Sequence, residues 1–547
     1  MTPVRFSGLG YFRFVLVCAC LPALAAALRP ARAADWPQWG GGNARNACSG
    51  EKNLPESFEP GDKDPKSGEI RADTTRNVKW SARLGGGCYG NTTVANGRVF
   101  AGTDDQTLRE DERFGRPNTA GMVKCFDEKT GKLLWQLPIA PIKTPKEWHY
   151  GFQKLGVCSS PTVDGDRVYI VSHTNDVLCL DVRGQANGND GPFTDEAKLM
   201  VKADQKPVEL QPTDGDVIWR FSVNEELKVI PHDVASCSVV VHGDFVYLST
   251  SNGVNHAHDK PLSPDAPAFI ALNKHTGKLA AVEDEGISKR MFHTQWSSPC
   301  LATVGGRTLV VVGATDGFCY AFEPLDKMPD APAKLKKVWQ YDCNPPEYRL
   351  RDGKRINYLD GDKRKKTSPN KNDGTYLGPS EVIATPAFSN GRVYVAIGQD
   401  PLHGRGRGLL HCIDASKTGD ITKTGCVWTY DGLDRTIANA VVAGGLVYIP
   451  DIAGRLHCVD ADTGKPHWVH EMKAETWGSP MVADGKVYQG TQKALHVLAA
   501  GKEAKELARI NLGSPIYSTP IAANGTLYFA SQKYLWAVAK QPVASSR

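Results

Sequence analysis

Between residues 92 and 531 short apolar, β-branched and aromatic runs alternate with turns built on Asn-Gly, Asp-Gly or Gly-Gly. Runs of this length, bounded in this way, predict strands joined by hairpins. The alternation is itself periodic. TTVANGRVFAGT (92–103), SPTVDGDRVYIVS (160–172) and CSVVVHGDFVYLST (237–250) share one grammar. So do SPCLATVGGRTLVVVG (298–313), TPAFSNGRVYVAI (385–397), ANAVVAGGLVYIP (438–450), SPMVADGKVYQGT (479–491) and TPIAANGTLYFAS (519–531). A third run follows each hairpin, and in five copies it ends in a hydrophobic residue and Asp or Asn. Thr-Gly-Lys then turns into a fourth run that carries Trp, as in VKCFDEKTGKLLW (123–135) and LHCVDADTGKPHW (456–468).

Eight copies of a four-stranded antiparallel unit predict an all-β, eight-bladed β-propeller. The second-strand aromatic or its equivalent falls at Phe100, Tyr169, Tyr247, Val310, Tyr394, Tyr448, Tyr488 and Tyr528. The last two steps match a compact blade of roughly 40–45 residues. The longer earlier steps place insertions at about 104–120, 184–216, 253–267, 341–380 and 399–408. The eighth unit ends near Lys540 without its Trp strand, whereas VKWSARL (78–84) is a Trp strand with no unit ahead of it. That N-terminal strand is expected to close the ring. Trp80, Trp135, Trp219, Trp339, Trp428 and Trp468 then share one position, and their expected task is packing between blades.

The N-terminus changes the picture of where the protein acts. Arg5 and Arg13 precede an apolar run from Phe14 to Leu28, and Ala31-Arg32-Ala33 follows. This order reads as a signal peptide cleaved near Ala33, with export to the periplasm or the outside. The run is too short to span a bilayer. Acylation at Cys20 is the competing reading, and Cys18-Ala19 makes a poor lipobox. The expected organisation is a signal peptide at 1–33, an N-terminal extension at 34–77 and the propeller at 78–547. The net charge of +5 is concentrated in the signal and in one basic loop, where residues 349–373 hold nine Lys/Arg and four Asp. A nucleic-acid binder needs a broad basic surface, so nucleic acid is not an expected partner.

The repeat grammar resembles the PQQ-type repeat of quinoprotein alcohol dehydrogenases and of the outer-membrane assembly factor BamB, both eight-bladed. DWPQWGGG (35–42) also resembles the start of exported PQQ-repeat proteins. The dehydrogenase resemblance implies a quinone cofactor with Ca²⁺, a vicinal cysteine pair over the quinone and an Asp base. After residue 33 this sequence has no adjacent cysteines, and no Cys-x-x-Cys-His occurs. The BamB resemblance implies a binding or scaffold protein.

Several conspicuous residues have architectural readings. Cys125, Cys179, Cys412 and Cys458 share a slot that holds Ala271, Ala321, Val497 or Ala537 in other blades, as a small buried position would. Cys88, Cys158, Cys237 and Cys300 recur near the first strands and are expected to pack there, line the axis or pair. Thr-Gly-Lys is a turn, because a phosphate loop needs Gly-x4-Gly-Lys-[Ser/Thr] ahead of a helix. The Asn- and Asp-rich ANGNDGPF (186–193) lacks calcium-loop spacing. KRKK (363–366) reads as a solvated loop.

The candidate chemistry lies where the chain enters each first strand, since these segments converge on one mouth of the central channel. His149, His232, His293, Glu381, Glu475 and Tyr517 are the expected binding residues there. The leading expectation is a binding or scaffold propeller for a protein or cell-surface polymer. The alternative is a PQQ-dependent dehydrogenase of alcohols or sugars. In it Trp296 or Trp477 would stack on the quinone, Glu381 or Glu475 with Asn439 would hold calcium, Arg435 would polarise the quinone, and Asp233 would be the base.

Overall fold

The computed structural model describes residues 34–540, apart from 115–119, 146–147, 149, 151–153, 257–259, 352–353, 356–358, 361–362, 365–378 and 402–407. His149 and most of the 341–380 insertion therefore lie outside the described residues.

Eight antiparallel sheets of four principal strands form the blades of a β-propeller. The first blade runs Thr93–Ala95, Arg98–Asp104, Gly121–Asp127 and Leu133–Ile139, from the innermost strand to the outermost. The next six repeat that order. In the eighth sheet Ile521–Ala523, Thr526–Ala530 and Tyr534–Val538 are followed by Val78–Arg83, which pairs antiparallel with Tyr534–Val538. Apolar residues of adjacent sheets interdigitate, so each core cluster draws on two or more blades.

The six repeated tryptophans stand opposite the small slot of their own blade. Trp135 faces Cys125, Trp219 faces Cys179, Trp339 faces Ala321, Trp428 faces Cys412, Trp468 faces Cys458 and Trp80 faces Ala537. Five of these indoles donate Nε1–H to a carbonyl in the turn of the next blade. Trp80 reaches Glu128 at 2.9 Å, Trp135 reaches Val182 at 3.0 Å and Trp219 reaches Lys274 at 3.0 Å. Trp428 and Trp468 reach Ala461 and Gly501 at 3.0 and 2.9 Å. The turn glycine lies under the ring: a Cβ on Gly464 (φ +70°) would stand 2.6 Å from the Trp428 indole. The aspartate holds the turn, since Asp460 Oδ1 accepts from the Thr463 amide and hydroxyl, both at 2.9 Å. Thr-Gly-Lys is thus the seat of the neighbouring blade's tryptophan.

One register differs from the sequence reading. In the fourth blade Ala321 pairs with Val311, so Val311 and not Val310 is equivalent to the second-strand aromatics. The strand there reads RTLVVVG, and three valines in a row offer no aromatic to mark the phase.

Two features organise the axis. The first is a closed circle of buried hydrogen bonds at the entry to the innermost strands. The amide of Asn91 donates to Ser160 Oγ, Ser160 to Ser238, Ser238 to Ser298 and Ser298 to Thr385, at 3.0, 2.9, 2.8 and 3.2 Å. Thr385 then donates to Asn439 Oδ1, Asn439 to Ser479, Ser479 to Thr519 and Thr519 back to Asn91 Oδ1, at 2.9, 2.8, 3.1 and 2.6 Å. Every blade gives one backbone donor and one side-chain acceptor, which explains the Ser/Thr of the Ser-Pro and Thr-Pro pairs. Apart from Met481–Ala483, which pairs parallel with Cys48–Ser49, no innermost strand among the described residues has a partner strand on its axial side, and this circle satisfies amides that would otherwise be buried unpaired.

The second feature is the segment 36–49, which bonds to every blade in turn, seven of them three residues past the circle. Trp36 exchanges both backbone bonds with Val94, Pro37 accepts from Val163, Asn43 from Leu301, Ala44 from Phe388 and Ala47 from Val482. The Asn46 side chain pairs with Val442 and the Ser49 hydroxyl with Ala522. The remaining blade is met by Arg45, whose guanidinium donates to Val239 and Pro299 carbonyls and to Trp39, at 2.5, 3.0 and 2.8 Å. Arg45 is fully buried, and burial pulls its pKa down to about 10. Gly40 before it is required by space: a Cβ there (φ +68°) would meet the Arg45 backbone at 2.6 Å. This plug covers the inner strand edges, which would otherwise be open to pairing.

Candidate ligand site in the channel mouth

On the other side of the hydrogen-bonded circle lies a cavity of about 400 Å³. Its floor is Trp39 of the plug, held by the bond from Arg45. Circle residues Ser298, Thr385 and Asn439 form part of its wall. Above them stand residues from the segments that lead into the blades, and these differ from blade to blade.

One wall is aromatic. Trp477 and Tyr517 stack with centroids 4.4 Å apart, and Tyr89 lies nearly parallel to Tyr517 at 5.5 Å. The Trp477 indole donates to Glu475, whose other oxygen accepts from Gln492 at 3.1 Å. Trp296 stands elsewhere on the wall, fixed by its indole bond to Val234 O at 2.7 Å. Asp233 and Asp400 are the acidic lining residues, and no lysine or arginine lines the cavity among the described residues. Burial raises the Tyr89 hydroxyl to about 12 and Tyr517 above the ordinary phenol value. It also raises the Cys158 thiol to about 12, so this lining cysteine is a thiol and not a nucleophilic thiolate.

Of the sequence-predicted residues, Asp233, Trp296, Asn439, Trp477 and Tyr517 line this one cavity. Glu475 supports Trp477 from behind. Arg435 lies beside the wall, where its guanidinium donates to the carbonyls of Asp400 and Pro401, both at 2.9 Å. Glu381 is buried, exchanges backbone bonds with Gly398 and accepts from Thr315 at 3.3 Å. His232 and His293 sit behind Asp233 with ring centroids 4.5 Å apart. Asn439 Oδ1 belongs to the circle. Sequence reasoning missed Trp39 and Tyr89. Tyr89 had a legible signal, since GCYGN (87–91) enters the first blade as the other segments enter theirs. Trp39 had none, because its position depends on the plug.

All twelve cysteines from Cys48 to Cys458 are thiols, and the slot residues Cys125, Cys179, Cys412 and Cys458 are buried in the core. Among the described residues no helix is long and apolar enough to cross a membrane.

Residues 119–257 and 421–511 match the family model for the outer membrane protein assembly factor BamB. In these two stretches the chain is similar to the PQQ-repeat propellers. A search of curated protein sequences gives no match to this chain. Among solved structures it is similar to BamB from Moraxella catarrhalis, at 14% identity over 84% of this chain and 99% of that one, with a TM-score of 0.47. It is also similar to the quinohemoprotein alcohol dehydrogenase of Comamonas testosteroni, at 12% identity over 94% and 82%, with a TM-score of 0.45. Both likenesses are remote.

Proposed function

We propose that this propeller is an exported binding protein that seats a neutral or cationic segment of a protein or cell-surface polymer in its channel mouth. The observation that carries this reading is the stacked wall of Trp477, Tyr517 and Tyr89 in a cavity whose charged lining is acidic. Flat, pre-packed aromatic faces bind sugar rings, aromatic groups and cations at low entropic cost. The family match to an assembly factor is consistent with a partner-binding role.

The alternative is a PQQ-dependent dehydrogenase. Pyrroloquinoline quinone is a tricarboxylate, and among the described residues the lining places two aspartates and no cationic side chain against it. The groups suited to calcium and quinone are engaged elsewhere. Asn439 Oδ1 serves the circle, Glu475 holds Trp477 and Gln492, and Arg435 is turned to backbone carbonyls. The residues present do not suit that cofactor, and no chemical step is assigned to it.

Tryptophan fluorescence tests the reading. Chitosan oligomers, neutral gluco-oligosaccharides and a Lys/Trp-containing peptide serve as permitted ligands, with alginate oligomers and PQQ plus Ca²⁺ as acidic ones. Saturable quenching by at least one neutral or cationic ligand, and none by the acidic set, is expected. Quenching by PQQ with dye-linked turnover of alcohols would overturn the proposal.

A further inference from the structure

Behind the cavity wall, blades three and four bring two imidazoles and a carboxylate together. His232 Nε2 stands 3.6 Å from one Asp233 oxygen and His293 Nε2 stands 3.9 Å from the other. One donor atom from each of the three residues lies within 4.8 Å of the others. The histidines are buried, whereas the Asp233 side chain is 13% exposed and lines the cavity.

The backbone fixes this arrangement in advance. Residues 252–254 run between the two segments, bridging Pro231 from Asn252 and Thr294 from Gly253. The His232 ring is oriented by its Nδ1 contact with the Val254 carbonyl at 2.6 Å. A carbonyl only accepts, so Nδ1 carries a proton and Nε2 is the ring atom turned toward Asp233. Fixing the ring by a carbonyl behind it is how metal-binding histidines are usually held. The amide of Val254 also bonds the His293 carbonyl at 2.9 Å, and the His293 amide bonds Thr315 Oγ1 at 3.1 Å. Asp233 itself has φ +60°, a left-handed conformation that Asp and Asn adopt more readily than most residues.

We propose that His232, Asp233 and His293 bind one zinc-class divalent transition-metal ion, with an open coordination position facing the channel-mouth cavity. Two imidazoles and a carboxylate suit zinc, cobalt or iron rather than calcium or magnesium. Ligand bonds of about 2.0–2.2 Å require the donors, which lie within 4.8 Å of one another, to draw together on binding. The open position follows from Asp233 being the member that reaches the cavity. A ligand oxygen or a water would occupy it there. Two other clusters are less suited. Glu506 beside His496 is paired with Arg509 at 2.9 Å, and Asp181 beside Asp190 and Asp216 is paired with Arg167 at 2.9 Å.

The test is a titration of the purified protein with Co²⁺, read by its visible d–d bands, followed by displacement with Zn²⁺ and elemental analysis. One equivalent bound, with bands of tetrahedral or five-coordinate intensity, is expected. Loss of an outer partner of a metal ligand already costs about 10–100-fold in affinity. Asp233→Asn and His293→Gln are therefore each expected to weaken binding by about 100-fold or more. His496→Gln should leave it unchanged. Asn accepts a left-handed backbone, so Asp233→Asn keeps the test valid if His293→Gln fails to fold, and near-UV circular dichroism checks both. No stoichiometric metal, or binding that survives Asp233→Asn but is lost in His496→Gln, overturns the assignment. The titration needs no organic ligand, so its outcome is independent of the binding function proposed above.

Discussion

The hydrogen-bonded circle and the cavity above it lie only a few residues apart along the same eight chain segments, yet they obey opposite rules. In the circle each blade contributes the same chemistry, a backbone donor and a Ser, Thr or Asn oxygen. In the cavity the place two residues before the circle is filled by Tyr89, Cys158, Ser236, Trp296, Ile383, Ile437, Trp477 and Tyr517, five residue types at one equivalent position. Repetition marks what holds the ring together, and its breakdown marks where this particular molecule differs from a generic propeller. The plug adds a third case, a segment with no repeat at all that touches every repeat.

Substitutions should separate these regions. The largest effect belongs to the interblade lock. Trp135→Ala removes a buried indole and its bond to Val182, and is expected to destabilise by about 3–5 kcal/mol, read by denaturant unfolding. If it cost less than about 1 kcal/mol, the lock would not be what joins neighbouring blades. A break in the circle should cost less. Ser238→Ala leaves the Ser160 amide without its acceptor and is expected to destabilise by about 1–3 kcal/mol. Ligand quenching should persist, and loss of binding at full stability would mean that the circle belongs to the site. The smallest effect on stability belongs to the mouth. Trp477→Ala is expected to shift stability by about 1 kcal/mol or less while removing most of the ligand-induced quenching. The reverse outcome, a large loss of stability with binding retained, would make the aromatic wall part of the frame.

Much of the frame was legible because its signals are local and recur. The Asp, Thr, Gly and Trp of the turns recur at similar spacing in several blades, and the structure gives them partners in their own turn or in the next blade. The Ser-Pro and Thr-Pro pairs were visible as part of the grammar, but their meaning was not. The acceptor lies about 40 to 90 residues away for seven of the amides and 428 away for Thr519, and no local pattern names it. The same reason hid the task of Asn439, which reads as a candidate ligand until Ser298, Thr385 and Ser479 are seen around it. In the fourth blade the phase slipped by one residue because a run of valines fits either register. The mouth segments could be located from blade phase alone, but their grouping depends on how far each reaches toward the axis. Trp39 in the floor could be placed only after Arg45 was seen to be buried.

The plug also sets an order of events. Residues 36–49 precede all eight blades in the chain, yet the partners of Ser49 and Asn46 lie 473 and 396 residues farther on. Until the sixth blade exists the Asn46 side chain lacks its partner Val442, and until the eighth exists the Ser49 hydroxyl lacks Ala522. Contacts of such sequence separation carry a loop-closure cost and are slow to form. Assembly must therefore wait on the segment that is synthesised before any blade, and that segment's arrival is what commits eight separately paired sheets to a single ring.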